Sequence, residues 1–132
     1  MPDTKTVLIV DDEPDAIEFV EAALSELGGV ATLSANDGVS GLQRAKEAKP
    51  DLIVLDVQMP GKSGFDMFVD LKKETSTKDI PVIMLTGVAD KVGIRFSGRD
   101  MGEFMGEVPE AYIEKPVDPE ELKKTVSRLL GL

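Results

Sequence analysis

A chain of 132 residues, 42% apolar and 30% charged, has the size and composition of one globular domain with a substantial core. Its formal net charge of -10 argues against direct binding to nucleic acid or to an anionic membrane surface. It holds no cysteine and no histidine, which excludes disulfides, thiolate and imidazole metal sites, Ser-His-Asp catalysis and a phosphohistidine on this chain.

Residues 1–5 read as a polar tail, too polar for a signal peptide, and residues 6–132 as the domain. No apolar run approaches the ~20 residues of a membrane span, so a cytoplasmic location is the expectation. Thr6 to Val10 is a short apolar run, the pattern of a strand buried on both faces, and three acids follow it at once: Asp11, Asp12 and Glu13. Pro14 suits the first turn of a helix whose stripe is Ile17, Val20, Leu24 and Leu27, with Gly28-Gly29 as its stop. Val30 to Ser34 mixes small, polar and apolar residues, as a sheet edge does. Asn36-Asp37-Gly38 then caps a helix with the stripe Val39, Leu42 and Ala45, which ends before Lys49-Pro50.

The central stretch is Leu52 to Leu55, a buried strand bounded by Pro50 and by Pro60-Gly61. Asp56 closes it, at the carboxyl end where open α/β sheets place their ligand sites. Ser63 and Asp66 form a capping-box-like pair for a third helix bearing Phe65, Phe68 and Leu71. After a polar loop, Pro81 to Leu85 is a fourth buried strand that runs into Thr86-Gly87. Ala111 to Glu114 is a fifth, ending in Lys115-Pro116. Asp118-Pro119-Glu120-Glu121 opens the last helix with a cap, a first-position proline and first-turn acids. Its apolar face is Leu122, Val126, Leu129 and Leu130, with Lys123, Lys124 and Arg128 outward. Between Val88 and Pro109, Gly93, Gly98, Gly102 and Gly106 break the helical pattern, so an irregular glycine-rich segment is expected in place of a regular fourth helix.

Five alternations of strand and helix imply an α/β fold: a five-stranded parallel sheet with helices on both faces, joined by right-handed crossovers. All carboxyl ends of such a sheet share one edge. Asp11, Asp12, Asp56, Thr86 and Lys115 therefore converge. Three close carboxylates repel unless a cation joins them. Mg²⁺ fits, with Asp12, Asp56 and the backbone carbonyl of Gln58 as ligands and Asp11 close by or acting through water. The same groups suit phosphoryl transfer, which needs positioning and charge stabilisation more than covalent machinery. Asp56 is the nucleophile, Lys115 a point charge on a phosphoryl oxygen, Thr86 a hydroxyl donor, and Gly87 leaves room for the group. Gln58 and Val88 stand two residues after Asp56 and Thr86, placed to gate water access to an aspartyl phosphate.

Val10-Asp11-Asp12-Glu13, Leu55-Asp56 with Met59-Pro60-Gly61 and Gly64, Leu85-Thr86-Gly87, and Tyr112-Ile113-Glu114-Lys115-Pro116 together resemble the receiver domain of two-component response regulators. The resemblance spans nearly the whole chain in the family's order. It implies a flavodoxin-like, chemotaxis-regulator-like sheet of order 2-1-3-4-5 and a cis Lys115-Pro116 bond. It implies a phosphoryl donor that is a phosphohistidine on a histidine kinase or phosphotransfer protein, with a downstream protein target. It also implies a switch in which Thr86 moves toward the phosphoryl group and Tyr112 follows. The chain is then an enzyme only in assisting its own phosphorylation and dephosphorylation. Two other readings compete. A Mg²⁺-dependent phosphohydrolase of the haloacid-dehalogenase type also uses an Asp nucleophile, but needs an acid/base where Gln58 stands. A receiver-like binding module that is never phosphorylated would not need the full acid, Thr and Lys set.

Overall fold

A computed structural model describes residues 4–59, 61–87 and 109–132. The elements are β1 (Lys5–Val10), α1 (Pro14–Leu24), β2 (Val30–Ala35), α2 (Gly38–Ala48), β3 (Leu52–Asp56), α3 (Gly64–Lys73), β4 (Val82–Thr86), β5 (Ala111–Glu114) and α4 (Pro119–Leu130). Every paired strand is parallel, in the order β2-β1-β3-β4-β5 that the resemblance implied. The expectation for Val88 to Pro109 lies outside the described residues except at Pro109, which is buried.

The strand sequences explain the two-sided packing. Side chains alternate across a strand, so odd and even positions serve different cores. Val7, Ile9, Leu52, Val54, Ile83, Leu85 and Ile113 pack with Val20, Ala23 and Leu24 of α1 and Leu122, Val126 and Leu130 of α4. Leu8, Val10, Ile53, Leu55, Val82 and Met84 pack with Ala45 of α2 and Met67, Phe68 and Leu71 of α3. Each large side chain so buried contributes about 1.5–3 kcal/mol of apolar transfer, which is why β1, β3 and β4 carry unbroken apolar runs.

Several details depart from the sequence reading. β1 takes in Lys5, assigned above to the tail. α1 stops at Leu24 rather than running to Leu27. There the Ser25 hydroxyl donates to the Ala22 carbonyl at 2.7 Å, and the Leu27 N–H reaches back only three residues, to Leu24. That tight turn still lays Leu27 against the core. Val39 is 67% exposed, so it does not belong to the buried stripe of α2. Gly41 takes that face instead. A Cβ on Gly41 would lie 2.9 Å from Val10 Cγ1 and 3.0 Å from Met67 Sδ, so the close approach of α2 requires glycine. On α3 the fully buried residue ahead of Phe68 is Met67, with Phe65 only half-buried. Lys123 does not point freely outward. It pairs with Glu26 at 2.5 Å and Glu120 at 2.8 Å, strapping α4 to the turn after α1.

The caps follow the sequence closely. Ser63 and Asp66 make the reciprocal capping box, Asp37 accepts from the Ser40 N–H, and Asp118 accepts from the Glu120 N–H. Lys115-Pro116 is cis.

Candidate functional site

The register builds the site as a staircase along one sheet edge. Val10 pairs with Leu55, which sets Asp11 beside Asp56. Asp56 pairs with Leu85, which sets Thr86 one step further. Thr86 pairs with Glu114, which sets Lys115 one step beyond that. The Lys115 N–H donates to the Thr86 carbonyl at 2.6 Å, continuing the ladder to the site.

Four of the expected side chains meet here: Asp11, Asp12, Asp56 and Lys115. Asp11, Asp12 and Asp56 each offer a carboxylate oxygen, and these lie within 4.8 Å of one another. Asp11 and Asp56 are buried, at 2% and 3% exposure, while Asp12 is the more open of the three. The Lys115 ammonium bonds Asp56 Oδ1 directly. The Glu13 N–H donates to Asp11 Oδ1 at 3.0 Å. Asp11 Oδ2 is buried with no hydrogen-bond partner among the described residues. An orphaned buried carboxylate oxygen costs about 1–3 kcal/mol or more. With Asp12 and Asp56 offering oxygens within 4.8 Å of one on Asp11, the cluster suits a hard divalent cation of the Mg²⁺ type. The donor set therefore fits such an ion.

Electrostatics agree with the geometry. Burial pushes the Asp56 carboxyl up from 3.8 to about 6; its bond to Lys115 opposes this, and the charges of Asp11 and Asp12 add to it. Burial likewise raises Asp11, against the Glu13 N–H and Lys115. Burial works to lower Lys115, but its bond to Asp56 and the nearby Asp11 and Glu13 hold it above the usual lysine range. The site is thus short of positive charge with one lysine alone.

The surrounding loop is held tightly. Gly61 adopts φ +74, and the Gly64 N–H donates to the Val57 carbonyl at 3.0 Å. A Cβ on Gly64 would lie 2.2 Å from the Asp56 carbonyl oxygen, so α3 starts against the backbone of Asp56 itself. Gln58 is exposed and, with Asp12, Glu13, Met59, Ser63 and Phe65, lines an open cleft of about 610 Å³. Thr86 is buried at 3% exposure, Gly87 is half-buried beyond it, and Tyr112 is 37% exposed. Val88 lies outside the described residues. One neighbour of the site escaped the sequence reading. Lys62 ion-pairs with Asp70 across eight residues, in the loop after Asp56. A lysine in a turn carries no sequence mark that separates it from a solvated one.

A family model for the response regulator receiver domain matches residues 7–127. The chain belongs to this receiver family. Protein PilH of Pseudomonas aeruginosa is 38% identical to this receiver over 129 residues, spanning 95% of the chain and 97% of PilH. The phosphate regulon transcriptional regulatory protein PhoB of the same organism is 36% identical over 126 residues, spanning 96% of the chain and 52% of PhoB. The receiver thus spans nearly all of PilH and about half of the transcriptional regulators it matches. The chemotaxis response regulator CheY4 of Vibrio cholerae shares the fold with a TM-score of 0.81 and 30% identity, over 96% of this chain and 99% of CheY4. The receiver domain of sensor histidine kinase PA1611 of Pseudomonas aeruginosa, which has a magnesium ion coordinated in its active site cleft, shares the fold with a TM-score of 0.79 at 23% identity, over 98% and 99% of the two chains.

This receiver accepts a phosphoryl group on an aspartate in two-component signalling, and it is a signalling module. Receivers interact with histidine kinases and phosphotransfer partners. Among the described residues no helix is long and apolar enough to cross a membrane.

Proposed function

We propose that Asp56 is the phosphoryl acceptor of this receiver, and that residues 6–132, with Lys5 heading β1, act as one phosphorylatable unit. The observation that carries this is the convergence of three carboxylates within 4.8 Å with the Lys115 ammonium on Asp56. Asp11, Asp12 and Asp56, with the Gln58 carbonyl, would hold Mg²⁺. When bound, that ion supplies charge neutralisation for the phosphoryl oxygens.

The chain's own residues do the rest. A carboxylate oxygen of Asp56 attacks the phosphorus of a phosphohistidine on a histidine kinase or phosphotransfer protein. The new O–P bond forms as the P–N bond breaks, and the imidazole leaves with the electron pair and takes a proton. Lys115 follows a phosphoryl oxygen once Asp56 has spent its charge. The Thr86 hydroxyl donates to a second oxygen, and Gly87 leaves the space. Gln58 and Val88 govern water access, and so the lifetime of the acyl phosphate. Gln58 is an amide and cannot serve as the acid/base of a phosphohydrolase, so the structure adds nothing to that alternative. The acidic composition favours a protein target over nucleic acid, and the polar N-terminus fits a cytoplasmic setting.

The test is phosphorylation with acetyl phosphate and Mg²⁺, followed by intact mass. One added phosphoryl group on the wild type, and none on Asp56→Asn, is the expected result. Undiminished labelling of Asp56→Asn would overturn the assignment. No labelling of the wild type would favour a binding module that is never phosphorylated.

A further inference from the structure

The loop between Asp56 and α3 carries Gln58, which lines the open cleft beside Asp12. The Lys62 side chain lies between two helices. Its carbonyl oxygen, Cγ and Cβ would be 2.8, 2.9 and 3.0 Å from a Cβ on Gly38, the first residue of α2. Its ammonium reaches past that contact to Asp70 on the second turn of α3. Both side chains of the pair are largely shielded, at 28% and 31% exposure. Shielded pairs are screened less by salt and solvent than those on open surface. The loop is therefore gripped by a glycine contact to α2, an ion pair to α3, the Ser63 and Asp66 capping box, and the Gly64 N–H on Val57. Two of these grips, the glycine contact and the ion pair, act on the same residue, Lys62, and only the ion pair can be removed by a change of charge alone.

We propose that Lys62 and Asp70 are positioning residues for the phosphoryl site: their ion pair holds the loop that carries Gln58 into the cleft beside Asp12. This deepens the reading of Asp56 as acceptor and rests on it. Neither residue touches the reacting atoms. Outer partners of metal ligands typically change metal affinity 10–100-fold when removed. A pair one loop away acts at the low end of that range.

Lys62→Met keeps the aliphatic stem against Gly38 and removes the charge. Asp70→Asn keeps the shape and removes the partner. Lys62→Arg keeps the charge. The first readout needs no phosphodonor: the Mg²⁺ concentration at half-maximal rise of the melting temperature. It is expected to increase about tenfold in Lys62→Met and in Asp70→Asn, and to stay within about twofold of wild type in Lys62→Arg. Amide exchange of Val57 to Ser63 in the metal-free protein should quicken in the first two variants alone. A pair that only stabilises the fold lowers the metal-free melting temperature and leaves the Mg²⁺ midpoint where it was; that result in Lys62→Met and Asp70→Asn overturns the proposal. Asp56→Asn runs beside them. If it still accepts a phosphoryl group from acetyl phosphate, the acceptor assignment fails. If it does not, and the Mg²⁺ midpoints of the loop variants are unmoved, only the positioning role fails.

Discussion

Asp56 concentrates the tension of the site in one residue. It is buried, it faces Asp11 and Asp12, and its carboxyl is raised from 3.8 to about 6 despite Lys115. The folded state thus binds a proton more tightly than the unfolded chain does. Its contribution to stability is fully present below about pH 4 and is lost as pH rises through about 6. A two-unit shift is worth about 3 kcal/mol at 1.36 kcal/mol per unit. In the absence of divalent metal, Asp56→Asn should therefore be more stable than wild type near pH 7, by up to about 3 kcal/mol, with the difference shrinking toward pH 4. Urea midpoints of the two proteins at several pH values measure this; parallel curves across that range would reject it. Added Mg²⁺ should reverse the order at neutral pH, because the ion stabilises the folded wild type by mass action and Asn holds it poorly.

At the scale of elements, what the sequence displayed depended on whether the deciding contact is local. The capping box of Ser63 and Asp66, the Asp118 cap and the two-sided burial of β1, β3 and β4 are written in adjacent residues, and all were legible. The three-carboxylate cluster was legible because a parallel sheet aligns its strand ends whatever the loop lengths. Val39 misled because the rotation of α2 is set by Gly41 against Val10 and Met67, contacts that no local pattern records. Lys62 and Asp70 were silent for the same reason: their meeting depends on how one loop turns. Two substitutions separate local from site-directed roles. Asp118→Ala removes a cap and should cost about 1 kcal/mol of stability while leaving phosphoryl uptake unchanged. Gly64→Ala puts a Cβ 2.2 Å from the Asp56 carbonyl oxygen. It should cost about 1–3 kcal/mol or more through forced backbone movement and also slow uptake, because the residue displaced is the proposed acceptor. Chemical denaturation and the labelling rate, read on the same samples, check both. A Gly64→Ala protein that labels at the wild-type rate would mean that Asp56 tolerates the shift.

For the whole molecule, we read from the register of the sheet a route by which an event at Asp56 would reach the far strand. Residues paired across parallel strands point to the same face. Met84 pairs with Tyr112, and Thr86 stands two residues after Met84, so Thr86 and Tyr112 share one face of the sheet. Leu85 and Ile113 share the other and are packed in the core with α1 and α4. A phosphoryl group on Asp56 that draws the Thr86 hydroxyl toward the site opens space on the face where Tyr112 lies. At 37% exposure, with burial already raising its phenol above the usual range, Tyr112 is half-way between solvent and core. Turning it inward adds apolar burial while its hydroxyl keeps access to a partner or water. A tenfold shift between the outward and inward states needs about 1.4 kcal/mol, the scale of one charge-assisted hydrogen bond from Thr86. The chain has one tyrosine and no tryptophan, so its intrinsic tyrosine fluorescence reports Tyr112 alone. We predict that acetyl phosphate with Mg²⁺ makes this fluorescence several-fold less accessible to acrylamide in wild type. In Thr86→Ala, phosphoryl uptake should persist while the quenching stays that of the unphosphorylated protein. Asp56→Asn should show neither change. Equal quenching of phosphorylated and unphosphorylated wild type would break the link between the acceptor and β5, and with it the Thr86 to Tyr112 route.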